Sequence, residues 1–468
     1  MNRTLPFLAA SVAVAAAGCT MIPSYHRPKA PVPETWPSGS AYTKTSAATT
    51  DVSKLKWQDF FTDKNLKTII GTALENNRDL RIAALNVKEA RANYQLQRAE
   101  LLPVVNATAG AGRYGYSTQN SATGFRNTYT TYNSGLNLAS WELDFFGRLR
   151  SLKGKALESY LASEEGRRGT QVTLISSIAN AYLTLAADRE NLKLAQTTAE
   201  AQQSSYALVK KRYDLGLAQE LDLYQAQTPV DTARRQVAAY TQQVAQDENA
   251  LAFLVGAPVP ASLLPSTLDA ISQPKAITSG IRSEVLLTRP DVLQTEHQLK
   301  AANANIGAAR AAFFPSINLT SSLGLASGEL SSLFKTGNDI WNYGPQASIP
   351  IFDARTLPAL RITQTDRDIA VAQYEKAIQS AFKEVADALA VRGTVGQQVL
   401  EQQSLVNALS ATYRLSNSRY QQGIDNFLTV LDAQRSLFAG QQELVTLRLA
   451  KLTNQVKLYS VLGGGAQP

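Results

Sequence analysis

This chain of 468 residues has a single cysteine, Cys19, and a lone thiol cannot close an intrachain disulfide. Histidine is nearly as scarce, with only His26 and His297, which leaves no cluster at metal-ligand spacing. A phosphate-cradling glycine loop, a G-x-S-x-G elbow and an H-E-x-x-H pair are all missing, so the common nucleotide, nucleophile and zinc-hydrolase chemistries have no residues to carry them. Asp and Glu recur along helical stretches, where they read as solvated faces, and the chain is expected to be no enzyme and to hold no metal or other cofactor apart from lipid. Only 18% of the residues are charged, and the formal charge of +8 comes from cations interleaved with acids. With no Lys/Arg block and no aromatic-basic module, no nucleic-acid partner is expected. After the leader there is no run of about 18 apolar residues, which excludes a spanning helix and leaves a closed β barrel as the way to cross a bilayer.

What is present begins with an apolar run from Leu5 to Ala17 that follows Arg3 and ends in Ala16-Ala17-Gly18-Cys19. This is a secretory signal over residues 1–18 with a small-residue cleavage site. Cys19 reads as a carrier of lipid, the alternative being an ordinary signal cleaved nearby that leaves a free thiol. The pattern resembles a bacterial lipoprotein signal, although Ala16 stands where that family usually has Leu; Thr20 after the cysteine favours the outer membrane by the same resemblance. Diacylglycerol and an N-acyl chain on Cys19 would then hold the subunit at the bilayer. Residues 19–57 look like an extended arm, with Pro23, Pro28, Pro31, Pro33 and Pro37 followed by a Ser/Thr/Ala-rich stretch to Thr50; this predicts a tether with no packed core.

Beyond the arm the chain repeats itself, residues 78–256 recurring in order as 289–463. Asp79 and Pro103 keep the interval of Asp291 and Pro315, Phe146 matches Phe352, Arg212-Tyr213 and Gly216 match Arg419-Tyr420 and Gly423, and the copies close on Gly256 and Gly463. The organisation expected is a first repeat over 58–256 with a β-hairpin at about 104–146, a linker over 257–280, a second repeat over 281–463 with a hairpin at about 316–352, and a tail over 464–468. Helical periodicity starts near Trp57 to Asp63 and runs to Leu102, where Pro103 stops it. From about Arg150 to Leu215 there is no proline, and Val172, Ile175, Ala179, Tyr182 and Ala186 alternate steps of three and four, as Tyr374, Ile378, Ala381, Val385 and Ala388 do in the second copy. Such a seam packs helices side by side in a left-handed coiled coil. About 65 residues at 1.5 Å each make a rod of roughly 100 Å. The other faces carry much Gln, Asn, Ser, Thr and Ala, as at Gln242-Gln243 and Gln402-Gln403. A compact bundle would need more leucine inside, whereas a ring of helices around water buries only its lateral contacts.

The hairpins change the period to two. Ile317, Leu319, Leu323 and Leu325 face one way against Ser316, Asn318, Thr320 and Ser322, and Val105, Ala107 and Ala109 oppose Asn106 and Thr108. Return strands are expected near Tyr132 to Phe145 and near Trp341 to Phe352, with aromatics towards their ends as in an interfacial girdle. A half-buried soluble hairpin would show the same alternation. If these strands span a membrane, four are too few for a barrel, which begins at eight, so several chains must share one; a cyclic trimer with twelve strands is a natural solution.

These residues resemble the TolC-like outer membrane factors, and among them the OprM-type lipoprotein channels of tripartite drug efflux. The resemblance rests on the lipoprotein cysteine with Tyr25 and Pro28, Glu75-Asn76-Asn77-Arg78-Asp79-Leu80, Trp141-Glu142-Leu143-Asp144-Phe145-Phe146-Gly147-Arg148, Arg289-Pro290-Asp291, Ala311-Ala312-Phe313-Phe314-Pro315, Gln373-Tyr374-Glu375-Lys376-Ala377, Leu431-Asp432-Ala433-Gln434-Arg435 and Leu462-Gly463-Gly464-Gly465, and it covers nearly the whole chain. It implies a mainly α fold with a β barrel: long coiled-coil helices forming an α-helical tunnel in the periplasm, four strands per chain in a homotrimeric twelve-stranded barrel in the outer membrane, and an equatorial belt from the termini and the segment after Gly256. The implied function is a passive exit channel for multidrug efflux, opened by a periplasmic membrane-fusion adaptor and fed by an inner-membrane resistance-nodulation-division (RND) pump. A conduit for secreted protein or polysaccharide and a lipid-anchored coiled-coil scaffold without a pore are the alternatives.

The resemblance also implies a periplasmic gate at two helix reversals, Gly216 to Asp222 and Gly423 to Asp432, where glycine permits the sharp turn. Leu428 would form an apolar ring and Asp432 an acidic one, while Asp222, Arg419, Tyr420 and Asn426 would supply the bonds that keep neighbouring hairpins shut. Gln421 stands where the nearest relatives of that type have Arg. Duller readings remain beside these. Asp222 complements a helix dipole, Tyr420 is a seam residue like Tyr213, and Leu428 is core like Leu221. For Asp432 a symmetric ring of like charge is a poor stabiliser, so cation binding or gate control explains it better.

Overall fold

The structure, a computed structural model, describes residues 20–42, 55–119, 127–277 and 283–466; the signal segment and Cys19 lie outside the described residues. Its elements follow in the order α1 (Trp57–Phe60), α2 (Lys64–Asn76), α3 (Arg78–Ala99), β1 (Val105–Tyr116), β2 (Asn127–Leu143), α4 (Arg148–Asp214), α5 (Glu220–Val255), α6 (Pro290–Ala311), β3 (Ser316–Ser327), β4 (Asp339–Ser348), α7 (Thr356–Gln421) and α8 (Phe427–Val461), with short 3-10 turns between them. From α3 onwards come a 22-residue helix, two strands, and helices of 67 and 36 residues; from α6 come a 22-residue helix, two strands, and helices of 66 and 35. No described helix is long and apolar enough to cross a membrane.

The stretch expected to run helical from about Trp57 to Leu102 is broken twice. Asp63 is extended and its carboxylate accepts the Leu66 N–H at 2.9 Å, which starts α2 afresh. Asn77 is extended too, its Oδ1 accepting the Leu80 N–H at 2.9 Å and its Nδ2 donating to Leu254 O at 2.8 Å. Short polar side chains that bond the backbone compete with helix propagation and favour caps. The last helix of the run ends at Ala99, with turns to Leu102 before Pro103.

The contacts divide the chain into two compact units. The first takes the chain up to Lys29 with Asn86–Ser163 and Gln294–Tyr374; the second takes Ala30–Leu85, Glu164–Leu293 and the chain from Glu375. In the first, one antiparallel sheet has the order β1-β2-β3-β4, so β1 and β4 each present an edge with no partner among the described residues. At its centre Gly135 pairs with Gly324, and a Cβ on either would fall 2.5 or 2.4 Å from the facing strand's carbonyl oxygen. Between Leu138 and Trp141 the register slips at a bulge where Ser140 takes a φ of 31°, the twist-enhancing device of curved sheets. The motif that follows β2 is the joint between sheet and helix. Glu142 takes Arg148 Nε at 2.8 Å, Asp144 caps α4 through the N–H groups of Leu149 and Arg150 at 3.2 and 2.9 Å, and Phe146 stacks on Phe314 at 4.9 Å.

The described part of the arm, residues 20–42, has no helix or strand, and it docks on the rest of the chain. Within the first unit Asn303 donates to Pro23 O at 2.8 Å, and Ile22 fills the space over Gly307, where a Cβ would fall 2.7 Å from Ile22 Cγ1. Glu296, whose side chain is 3% exposed, binds Arg27, Lys300 at 3.1 Å and the Tyr25 hydroxyl at 3.3 Å. Burial presses its pKa upward, but the hydrogen bonds from Arg27 and Lys300 outweigh that and hold it below the ordinary value. In the second unit Trp36 stacks on Phe382 at 4.9 Å. Composition rich in proline forbade regular structure here without forbidding docking.

The second unit is helical. Ile175, Ala179 and Ala186 are buried along α4, as are Ile378, Ala381, Val385 and Ala388 along α7. Phe60 lies flat on Tyr459 at 4.0 Å, and the Tyr459 hydroxyl donates to Leu55 O at 2.6 Å. At the end of α5, Gly256 takes a φ of 73° so close to α2 that a Cβ would fall 2.6 Å from Asn76 O.

Candidate functional site at the helix reversals

Both reversals lie in the second unit and share one backbone device. At the first, Gly216 N–H bonds Tyr213 O at 2.8 Å and Leu217 N–H bonds Arg212 O at 2.8 Å, with Gly216 at φ 73°. At the second, Gly423 N–H bonds Tyr420 O at 2.9 Å and Ile424 N–H bonds Arg419 O at 3.0 Å, with Gly423 at φ 76°. These are Schellman caps, and they explain the Arg-Tyr-x-x-Gly spacing at both reversals: the Arg and Tyr carbonyls are the acceptors and the glycine is the left-handed residue.

The outgoing helices are capped differently. Asp222 accepts the Gln219 N–H at 3.1 Å from the third position of α5, so its carboxylate works as half of a capping box. Asn426 is the N-cap of α8, accepting the Thr429 N–H at 3.1 Å. Arg419 binds Asp425 through Nε at 2.6 Å and a second nitrogen at 3.0 Å, a two-pronged pair inside its own reversal. Their mutual hydrogen bonds raise the arginine and lower the carboxylate from their ordinary pKa values. Asp425 was missed by sequence reasoning; its only signal is a carboxylate six residues after Arg419 across the turn.

The first reversal has Ala218 at the corresponding place, and its Arg212 turns elsewhere. Arg212 Nη1 donates to the Tyr420 hydroxyl at 3.3 Å, and its guanidinium lies 5.7 Å from the Tyr420 ring centre. This joins the two reversals of one chain. Tyr420 also packs on Phe427 at 5.1 Å, beside a core of Val209, Ala226, Phe427, Val430 and Leu431. Tyr420 is therefore both seam and clasp, while Arg212 served the sequence reading only as an anchor of the repeat.

Leu428 and Asp432 sit apart from this network. Leu428 is 49% exposed and Leu221 61% exposed, so within one chain neither is core, and Leu215, Leu217, Tyr224 and Ile424 are exposed on the same two tips. Asp432 faces solvent and meets Arg435 at 3.1 Å, a neighbour that offsets part of its charge. Among the described residues no group of His, Cys, Asp and Glu could hold a metal ion.

Long helices, two tight reversals tipped with exposed leucines, and a four-stranded sheet whose edge strands have no partner among the described residues are the features of a channel-type membrane subunit. The family model for outer membrane efflux proteins matches residues 69–257 and 281–464, and the chain belongs to that family. A Pseudomonas putida protein described as the probable efflux pump outer membrane protein TtgC is 46% identical over 467 residues, covering 99% of this chain and 96% of that one. A crystal structure of a membrane protein from Pseudomonas aeruginosa matches with a TM-score of 0.88 and 37% identity over 95% of this chain and 100% of that chain. The open-state MtrE outer membrane channel of Neisseria gonorrhoeae gives a TM-score of 0.86 and 36% identity over 96% and 99%. The chain is thus an outer-membrane efflux channel protein and not an enzyme.

Proposed function

We propose that the protein is the outer-membrane exit channel of a tripartite multidrug efflux system, a passive homotrimeric conduit with a periplasmic gate, working with a membrane-fusion adaptor and an RND pump and anchored by lipid on Cys19. The observation that carries this reading is the pair of open sheet edges. A four-stranded sheet with unpaired β1 and β4 exposes backbone donors and acceptors that hydrocarbon cannot satisfy, and β4 also exposes Ile340, Trp341 and Tyr343. Pairing β1 of one chain with β4 of the next closes twelve strands in a three-fold ring. In that ring the long helices pool their lateral faces around water, and the six exposed tips converge, bringing Leu428 and Asp432 of each copy to the axis.

The reading is tested on detergent-solubilised protein by its mass and by conductance in planar bilayers. A trimer that conducts little until the gate is altered supports it. A stable monomer, or a protein that never conducts, refutes it. Replacing Cys19 with Ser should abolish incorporation of labelled palmitate; undiminished labelling would refute the anchor.

A further inference from the structure

The second unit holds a pocket remote in sequence from the reversals. A cavity of about 130 Å³ is lined by Lys275, Arg392, Lys451 and Gln455, with Val395 and Leu458 as apolar wall, and no carboxylate among the described residues lines it. Its backbone frame is fixed: Lys275 N–H bonds Phe60 O at 2.9 Å, and Asn454 Nδ2 ties α8 to α7 through Ala388 O at 3.0 Å. Arg392 Nη1 is shut away from solvent and has no hydrogen-bond partner, and Gln455 Oε1 is in the same condition. Burial alone presses the Arg392 guanidinium below its ordinary pKa. The contrast with the rest of the unit is chemical. Arg189 meets Glu248 at 2.6 Å, Arg289 meets Glu384 at 2.9 Å, and Arg448 meets Glu190 at 2.8 Å, whereas Arg392, Lys451 and Lys275 make no ion pair among the described residues.

Buried donors are almost always satisfied in folded proteins, and a guanidinium fork without a carboxylate suits a phosphate-type oxyanion. The cavity exceeds the roughly 30 Å³ that one water occupies in the liquid. We propose that this pocket is a binding site for a small phosphate-class oxyanion, held by Arg392 and Lys451, with Lys275 at its mouth. Gln455 takes part by a half-turn of its amide, which exchanges the orphaned oxygen for an N–H₂ donor in the same space. One turn along α7 from Arg392, Gly396 has nothing within 4 Å of where a Cβ would stand, so a side chain there enters the site without a clash.

The test titrates sodium phosphate, at ionic strength held constant with chloride, into the full-length protein in detergent, following calorimetric heat and thermal unfolding. Phosphate should bind saturably and raise the Tm, and Arg392→Gln and Lys451→Gln should each weaken binding at least tenfold. Glycerol phosphate run in parallel separates the sources: tighter binding of the ester points to a lipid headgroup, equal binding to the free ion. Gly396→Asp should supply the charge internally and lose the phosphate response, while Gly396→Asn keeps it. A pocket that holds only water shows no saturable heat and overturns the proposal, as does a response untouched by the Arg392 and Lys451 changes. Should those two variants fail to fold, equal phosphate responses in the Gly396 pair overturn it instead.

Discussion

Removing a single oxygen, by Tyr420→Phe, isolates the clasp between the two reversals. The change deletes the acceptor of the 3.3 Å bond from Arg212 but keeps the ring that Arg212 overlies at 5.7 Å and that packs on Phe427 at 5.1 Å. A net hydrogen bond contributes about 0.5–1.5 kcal/mol, and a long, half-buried one belongs at the lower end, roughly 0.7 kcal/mol. Folding should hardly change. In the proposed trimer, whose three clasps open together, the effect triples to roughly 2 kcal/mol, about thirtyfold in the open-to-closed ratio. Single-channel recording in planar bilayers reads that ratio directly. Asp425→Asn is the matched control, because it breaks an exposed pair lying within one reversal; its ratio should stay within about threefold of the parent. A Tyr420→Phe protein that gates like the parent, or an Asp425→Asn protein that opens more than Tyr420→Phe does, would rule the clasp out.

Leu428→Ala should raise conductance while costing subunit folding less than about 1.5 kcal/mol, since the side chain is half exposed in one chain; unchanged conductance would remove Leu428 from the gate. Asp188 supplies a pH dependence: burial first, then hydrogen bonding and repulsion from Asp247, push its carboxyl up to about 6. Because the folded value lies above the unfolded one, this contribution is complete below about pH 4 and is lost as pH rises through 6. The full shift is discounted for partial exposure to about 1–1.5 kcal/mol. Asp188→Asn should therefore flatten the fall in denaturant midpoint between pH 4 and 7, and an unchanged slope would exclude the pair as its source. Gly216→Ala and Gly256→Ala share a φ of 73°, but only the second drives a Cβ to 2.6 Å from a backbone oxygen, Asn76 O. The first should cost about 1–2 kcal/mol and the second at least twice that; equal losses of stability on unfolding would contradict the close approach.

Much of the fold was legible because its signals are local. Steps of three and four marked the α4 and α7 seams, alternation marked the strands, and Arg-Tyr-x-x-Gly marked two left-handed caps whose acceptors lie within six residues. The arm's contacts were not legible, because proline content reports on regular structure and says nothing of docking; Arg27 and Glu296 are 269 residues apart. Among the candidate gate residues, Asp222 was legible by its place near a helix start, whereas Asn426 entered only through the resemblance; within the chain both act as helix caps. The Arg212–Tyr420 clasp and the Asp188–Asp247 pair were invisible, since each depends on how distant helices are phased about their axes.

Taken alone, then, the order of residues decided the period of each segment, where the helices stop and turn, and that four strands per chain leave a sheet incomplete, since these follow from backbone geometry over a few residues. Only the tertiary structure decided which charges meet. It gave Arg419 to Asp425, turned Arg212 onto Tyr420, and left Arg392 facing a cavity with no acid among its described lining residues. Long side chains reach several partners, and the choice among them is settled by helix phase and packing, which one-dimensional pattern does not encode.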